Sequence, residues 1–214
     1  MARERKAKKR EGNEVEFGRI VAFSDGVFSI AITLLVLSLT IDPGIPSHEL
    51  AQKLWDKHEA LVAYAISFAV IGRFWVVHHS FFSEVTAFDG KLIALNMLYL
   101  GWIVLIPFSS QVLGDYGGEL PAVVLYSANL AAVVLIGQWV SWDAHRAGLT
   151  RIDERSHLEG LIRSTYIAGV FLFSIVVALF DADIAPFCWF LLFAEPSGHL
   201  VGRITDHRTR RRSS

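Results

Sequence analysis

A single cysteine, Cys188, stands in this 214-residue chain. No disulfide can form within one copy, and no cysteine-based metal site can either. Charge is scarce as well. Asp, Glu, Lys and Arg make up 19% of the residues, against about 25% in ordinary soluble domains. There is no Walker loop, no dinucleotide fingerprint and no GxSxG-like elbow, so the usual marks of phosphate, cofactor or acyl-transfer chemistry are missing. No internal sequence repeat is visible. What the chain has in excess is apolar: 53% of its residues are hydrophobic and its mean hydropathy is +0.42. The composition is that of a polytopic membrane protein.

Six apolar segments carry that excess, at Arg19–Leu39, Ala60–His79, Leu92–Val112, Pro121–Trp142, Leu161–Phe180 and Ile184–Val201. The first, RIVAFSDGVFSIAITLLVLSL, covers roughly the 30 Å hydrocarbon core at about 1.5 Å rise per residue. Pro107 lies inside the third and Glu195-Pro196 interrupts the sixth, for which a re-entrant or interfacial helix stays open. Connections are mostly short. The expected fold class is therefore all-α, a six-helix transmembrane bundle over residues 19–202, flanked by basic tails at 1–18 and 203–214.

Net charge is −1, but its distribution is uneven. Seven of the 20 Lys and Arg fall within residues 1–19 and five more lie between Arg203 and Arg212. An even number of spans puts both termini on one side, which also receives Lys91, Arg146, Arg151 and Arg155. The opposite loops hold Lys53 and Lys57 against Asp42, Asp115, Glu119, Asp181 and Asp183. The excess of positive charge predicts that both termini are cytoplasmic. Basic ends of this kind read as solvated tails or as contacts with membrane lipid headgroups. Short basic ends around apolar spans do not suit nucleic acid. A cleaved signal peptide is not expected, because the first apolar run is too long, contains Asp25 and continues into Asp42-Pro43-Gly44.

Two polar clusters interrupt the apolar spans. The first is Arg19 with Phe23, Ser24 and Asp25. A carboxylate near the mouth of a membrane helix is costly unless paired or wet. One reading has Arg19 snorkelling to headgroups and Asp25 pairing locally. The other has these residues fix the tilt and rotation of the first helix, aiming the stripe of Gly26, Ile30, Thr33 and Leu37, with Leu34 beside it, at a shared axis. The second cluster is Arg73-Phe74-Trp75-Val76-Val77-His78-His79, with Asn96 in the next span. Adjacent helical histidines point about 100° apart, a poor geometry for one ion. A hydrogen-bonded network of Trp75, His78 and Asn96 is the better expectation, because buried imidazole and amide groups in lipid need partners. No catalytic residue, metal site or cofactor is assigned, and the chain does not read as an enzyme.

The run of Arg19, three residues, then Phe23-Ser24-Asp25 resembles the signature helix of the transmembrane protein 175 family, the lysosomal and prokaryotic potassium channels. The FWxxHH run at Phe74–His79 and the six-span length agree with it. The resemblance implies a potassium-permeable channel of a prokaryotic plasma membrane, with one six-helix unit per subunit and four subunits in a homotetramer. It further implies a pore lined by the first helix, with an apolar constriction at Ile30, Leu34 and Leu37 and a hydroxyl layer at Thr33. The family's Trp, His and Asn network maps onto Trp75, His78 or His79, and Asn96. No TVGYG-like loop is present, so selectivity by rings of backbone carbonyls is not expected, and an apolar ring can gate by dewetting. A six-span carrier or accessory membrane protein is the competing class; discontinuous helices in paired halves would favour it, and the sequence shows none.

Overall fold

The computed structural model describes residues 2–41 and 43–194, with side chains placed for residues 15–41 and 43–193. The described part is all helical. Its elements are α1 (Ala2–Leu34) with a 3-10 turn at Leu35–Ser38, the short α2 (Leu50–Asp56), α3 (His58–Ser83), α4 (Gly90–Val104), α5 (Ile106–Asp115), α6 (Leu120–Arg146), α7 (Glu154–Ala178) and a 3-10 stretch at Ala185–Ala194. Five segments among the described residues are long and apolar enough to cross a membrane: Val15–Ser38, His58–Ser83, Gly90–Asp115, Leu120–Arg146 and Glu154–Ala178. They coincide with the first five expected spans, except that the first and fifth of these run on to Leu39 and Phe180, one and two residues further. The sixth, expected at Ile184–Val201, enters the described residues as 3-10 helix up to Ala194, and its remainder lies outside them, as does the 203–214 tail. At the other end α1 runs through the expected boundary at residues 18 and 19 without a break.

Local chemistry explains several of the helix ends. Asp89 caps α4 by accepting from Leu92 N–H at 2.8 Å, and Asp153 caps α7 by accepting from Ser156 N–H at 2.9 Å. Each satisfies an otherwise orphaned donor. The Ser156 N–H first, and then the Ser156 hydroxyl, which donates to the other Asp153 oxygen at 2.8 Å, hold the exposed Asp153 carboxyl below its ordinary pKa. At the end of α6, Gly148 adopts φ +70, with its N–H on His145 C=O at 3.1 Å and Leu149 N–H on Ala144 C=O at 2.9 Å. That double return is a Schellman closure, which favours glycine. The third span breaks into α4 and α5 at Leu105, just before Pro107. Proline has no N–H for the carbonyl of Ile103 and its ring crowds that carbonyl, so the helix restarts.

The helices pack in a chain of neighbours. α1 lies on α3 and α4, α3 on α5, α4 and α5 on α6, and α6 on α7, which carries the 3-10 stretch. Between them runs one main core that includes Phe28, Leu35, Ile71, Ile103, Ile106 and Tyr126. Gly114 permits close approach of α3 and α5, because a Cβ there would stand 3.2 Å from Ala60 Cα. At the end of the bundle where α3 and α6 finish, two loops are stitched together. Val85 and Thr150 form an antiparallel bridge, flanked by Thr86 N–H on Leu149 C=O at 2.8 Å and Arg151 N–H on Glu84 C=O at 2.9 Å.

At that same end Lys91 of α4 pairs with Asp143 of α6. The Asp143 side chain is 9% exposed and that of Lys91 58%. Removing one partner of a buried pair costs about 3–5 kcal/mol, and the exposed ammonium is partly screened, so Lys91→Ala is expected to destabilise by about 1–2 kcal/mol. A lower thermal unfolding midpoint in detergent is the readout. Arg155→Ala serves as the comparison, because its pair with Glu159 lies on the surface. A Lys91→Ala midpoint equal to wild type would show that the pair adds nothing.

Candidate functional site

The first helix buries one face and exposes the other. Ser24, Phe28, Ala31 and Leu35 recur every three to four residues and are all buried, Phe28 at 1% exposure and Leu35 at 0%. This is the stripe that docks α1 on α3 and α4. On the opposite side Phe23 is 55% exposed, Ile30 58%, Leu34 38% and Leu37 66%. Arg19, Gly26 and Thr33 are exposed too. With about 100° per residue, Arg19, Gly26, Ile30 and Thr33 fall within roughly 60° of one another, centred on the side away from Phe28. Gly26 has no heavy atom within 4 Å of where a Cβ would stand, so nothing inside this subunit requires its smallness. Ile32, by contrast, is half-buried against the main core.

Near its end the stripe tightens. From Leu35 the helix becomes 3-10, with Leu39 N–H on Val36 C=O at 3.0 Å. Residues three apart eclipse in that geometry, which draws Leu37 towards the line of Leu34 rather than leaving it a further turn round. Thr33 returns its hydroxyl proton to Ile30 C=O at 2.9 Å. Its Oγ1 therefore turns lone pairs, not a proton, away from the helix.

The polar residues divide into two groups. Ser24 Oγ donates to Ile20 C=O at 3.0 Å, and Asn96 Nδ2 donates to Ser24 Oγ at 3.0 Å. His78 Nε2 and Asn96 Oδ1 stand 2.9 Å apart. The serine has spent its proton on Ile20, so the amide must offer it N–H and turn its oxygen to His78. The imidazole therefore carries its proton on Nε2. His78 is held flat between rings, with centroids 4.4 Å from Phe82 and 5.5 Å from Tyr99, and Phe28 closes a third side at 5.3 Å. Ser24, His78 and Asn96 are all buried.

Trp75 belongs elsewhere. Its Nε1–H reaches Asp25 Oδ1 at 2.9 Å, tying α3 to α1, and His79 stacks on its ring at 5.4 Å. The structure thus joins Asn96 to His78 and to Ser24, and joins Trp75 to Asp25, with no hydrogen bond from Trp75 to the His78–Asn96 pair among those of the described residues. A further polar cluster joins α3, α5 and α6. Ser67 Oγ donates to Ser110 Oγ at 2.7 Å and lies 3.0 Å from Tyr126 OH, while Asn129 Nδ2 donates to Ser109 Oγ at 2.9 Å. Its signal in the sequence is Ser109-Ser110 and Asn129 inside otherwise apolar spans.

Known proteins resemble this chain in sequence and in fold. A family model described as the endosomal/lysosomal potassium channel TMEM175 matches residues 19–107. A protein named as a potassium channel from Streptomyces collinus is 38% identical over 137 residues, 62% of this chain and 66% of that one. Another so named, from Chamaesiphon minutus, is 39% identical over 110 residues, 47% of this chain and 51% of that one. The matches thus span between half and just under two thirds of these curated relatives. Over a longer stretch, the crystal structure of a lysosomal potassium-selective channel TMEM175 homolog from Chamaesiphon minutus superposes with a TM-score of 0.72 at 26% identity, covering 84% of this chain and 96% of that one. The matched segment holds the Arg19–Asp25 motif, the exposed stripe and the His78–Asn96 pair, and the chain belongs to the TMEM175 family.

Proposed function

We propose that four copies of this chain form a potassium-permeable cation channel that conducts passively through a pore lined by the exposed stripe of α1. The observation that carries the reading is the stripe itself, Ile30, Leu34 and Leu37 standing exposed opposite the docked face. An ion cannot follow one apolar stripe through hydrocarbon, but copies of it around a rotation axis close a narrow path and repeat each side chain as a ring. Membership of the TMEM175 family, with relatives named as potassium channels, supports this assignment. One six-helix unit per chain is the count that goes with four subunits in the prokaryotic members.

In this reading the three apolar rings are the constriction. Such a ring empties of water easily, and an ion crosses it at the cost of its hydration shell, which is smaller for potassium than for sodium. Thr33 oxygens, with their protons turned back to the helix, would offer partial replacement for lost water. The His78–Asn96–Ser24 chain and the Trp75–Asp25 bond hold α1 at the rotation that presents the stripe. Residues 1–18 and 203–214 are cytoplasmic tails, and the membrane is a prokaryotic plasma membrane.

Two measurements test the proposal together. Liposomes reconstituted with the protein should release potassium down its gradient with no co-substrate, and cysteine-free chemical crosslinking in membranes should stop at four subunits. Flux that requires a second solute would indicate a carrier. A monomer or dimer by native mass measurement, with no tetramer on crosslinking, would end the four-fold pore.

A further inference from the structure

A crevice of about 320 Å³ opens between α3 and α7, backed by α4 and α6. It exists because α3 leans on α1 and α5 whereas α7 leans on α6, so the two helices diverge. Its volume falls at the low end of ligand pockets, about 300–1,000 Å³. The walls are apolar, with Val77, Phe81, Val133 and Ile167 among them, and its lining takes in His78 and Asn96. Two arginines also line it, Arg73 from α3 and Arg163 from α7. Both are exposed, and both lie inside segments long and apolar enough to cross the membrane.

The two arginines stand at one level. Arg73 is ten residues before the end of α3 at Ser83, and Arg163 nine after the start of α7 at Glu154. At about 1.5 Å per residue those distances are roughly 15 and 14 Å. Helices of 26 and 25 residues outrun a hydrocarbon core of about 30 Å by several ångströms at each end. The guanidinium groups are therefore within snorkelling reach of the interface. A cation at this depth needs a counter-charge, and among the described residues no carboxylate lies within ion-pair distance of Arg73.

We propose that this crevice binds an anionic phospholipid from the leaflet adjoining the Val85–Thr150 bridge, its phosphate held by Arg73 and Arg163 and one acyl chain lying between α3 and α7. Guanidinium forks suit phosphate oxygens and keep their charge in a low-dielectric site. Basic pockets between membrane helices recognise acidic headgroups in this way, and the apolar walls suit a chain rather than a free anion. The site is on the far side of α3 and α4 from the exposed stripe of α1, so its occupant would brace the helices behind the His78–Asn96 pair.

The test is native mass spectrometry of the detergent-purified assembly titrated with phosphatidylglycerol, phosphatidylcholine or oleate. Both lipids carry the phosphate, but the choline ammonium of phosphatidylcholine neutralises it and is repelled by the two guanidinium groups, so phosphatidylglycerol is expected to bind about tenfold more tightly. Combined Arg73→Gln and Arg163→Gln should abolish that preference, whereas Arg155→Gln, paired with Glu159 at the surface, should keep it. Gly160→Phe gives an independent arm. Gly160 lines the crevice and has nothing within 4 Å of a Cβ position, so the new ring should weaken phosphatidylglycerol binding with both arginines intact. Equal binding of the two phospholipids, or full binding by the double variant, overturns the proposal. If the double variant does not fold, undiminished binding by Gly160→Phe overturns it. Oleate binding as tightly as phosphatidylglycerol would assign the site to a free carboxylate and overturn the phospholipid reading. The readout is lipid occupancy rather than flux, so it stands or falls apart from the pore.

Discussion

Ile30→Asn is expected to raise potassium flux several-fold and to bring the potassium-to-sodium ratio towards unity. Ile30 is the first of the three residues proposed for the constriction, 58% exposed and opposite the face that docks on α3 and α4. Four asparagines at one level would let water wet the narrowest point, and a wet constriction no longer makes ions surrender their hydration shells. The comparison variant is Ile32→Asn. Ile32 lies about 160° round the helix from Ile30 and packs against the main core. There an amide would be buried without a partner, at a cost of about 1–3 kcal/mol, so protein yield should fall while the flux of the remaining channels is unchanged. Thr33→Ala removes the outward-facing oxygens, and it should lower selectivity with flux retained. Potassium and sodium flux from liposomes, normalised to tetramer content, decides all three. No change at Ile30 beside a large change in selectivity at Ile32 would put the pore on another face of α1.

The sequence disclosed the membrane-spanning segments because length and hydropathy survive any rotation of a helix. Asp25 and Asn96 were legible as exceptions, since a polar side chain in an apolar run must find a partner whatever the packing. Which partner it finds depends on how each helix is turned about its axis, and a single sequence does not fix that angle. Trp75 therefore went to Asp25 instead of joining the His78–Asn96 pair, and Ser24 took the place expected for it. The Ser67–Ser110–Tyr126 cluster escaped for a related reason. Serines can return their protons to their own helix, so their presence in a span does not announce a contact between helices. Helix type was equally hidden. Phe187, Phe190 and Phe193 form a ladder with successive ring centroids 6.2 Å apart because a 3-10 turn stacks every third residue. The apolar run of Ala185–Ala194 reads the same for either helix.

Asn96→Leu is expected to cause the largest loss of folded tetramer, with the ion preference of the surviving channels unchanged. Asn96 is 1% exposed and serves both neighbours at once, accepting from His78 and donating to Ser24. Leucine matches its bulk but leaves the His78 Nε2–H without an acceptor and Ser24 Oγ without a donor. Two stranded groups at about 1–3 kcal/mol each are a large part of the roughly 5–15 kcal/mol that holds a domain folded. His78→Ala should cost comparably, since it also empties the slot between Phe82 and Tyr99. Asp25→Ala should cost less, because Trp75 is partly exposed and the indole N–H it frees can reach water or headgroups. Ser24→Ala falls between, stranding one amide N–H and nothing on His78. The expected order in thermal midpoint is therefore Asn96→Leu and His78→Ala lowest, then Ser24→Ala, then Asp25→Ala. Ser24 and Phe28 are on the docked face of α1 and Ile30 on the free one, so damage to the network should reach the pore through assembly rather than through contact with ions. An Asn96→Leu protein that forms tetramers at wild-type yield but no longer distinguishes potassium from sodium would show that the network, and not the apolar stripe, faces the permeating ion.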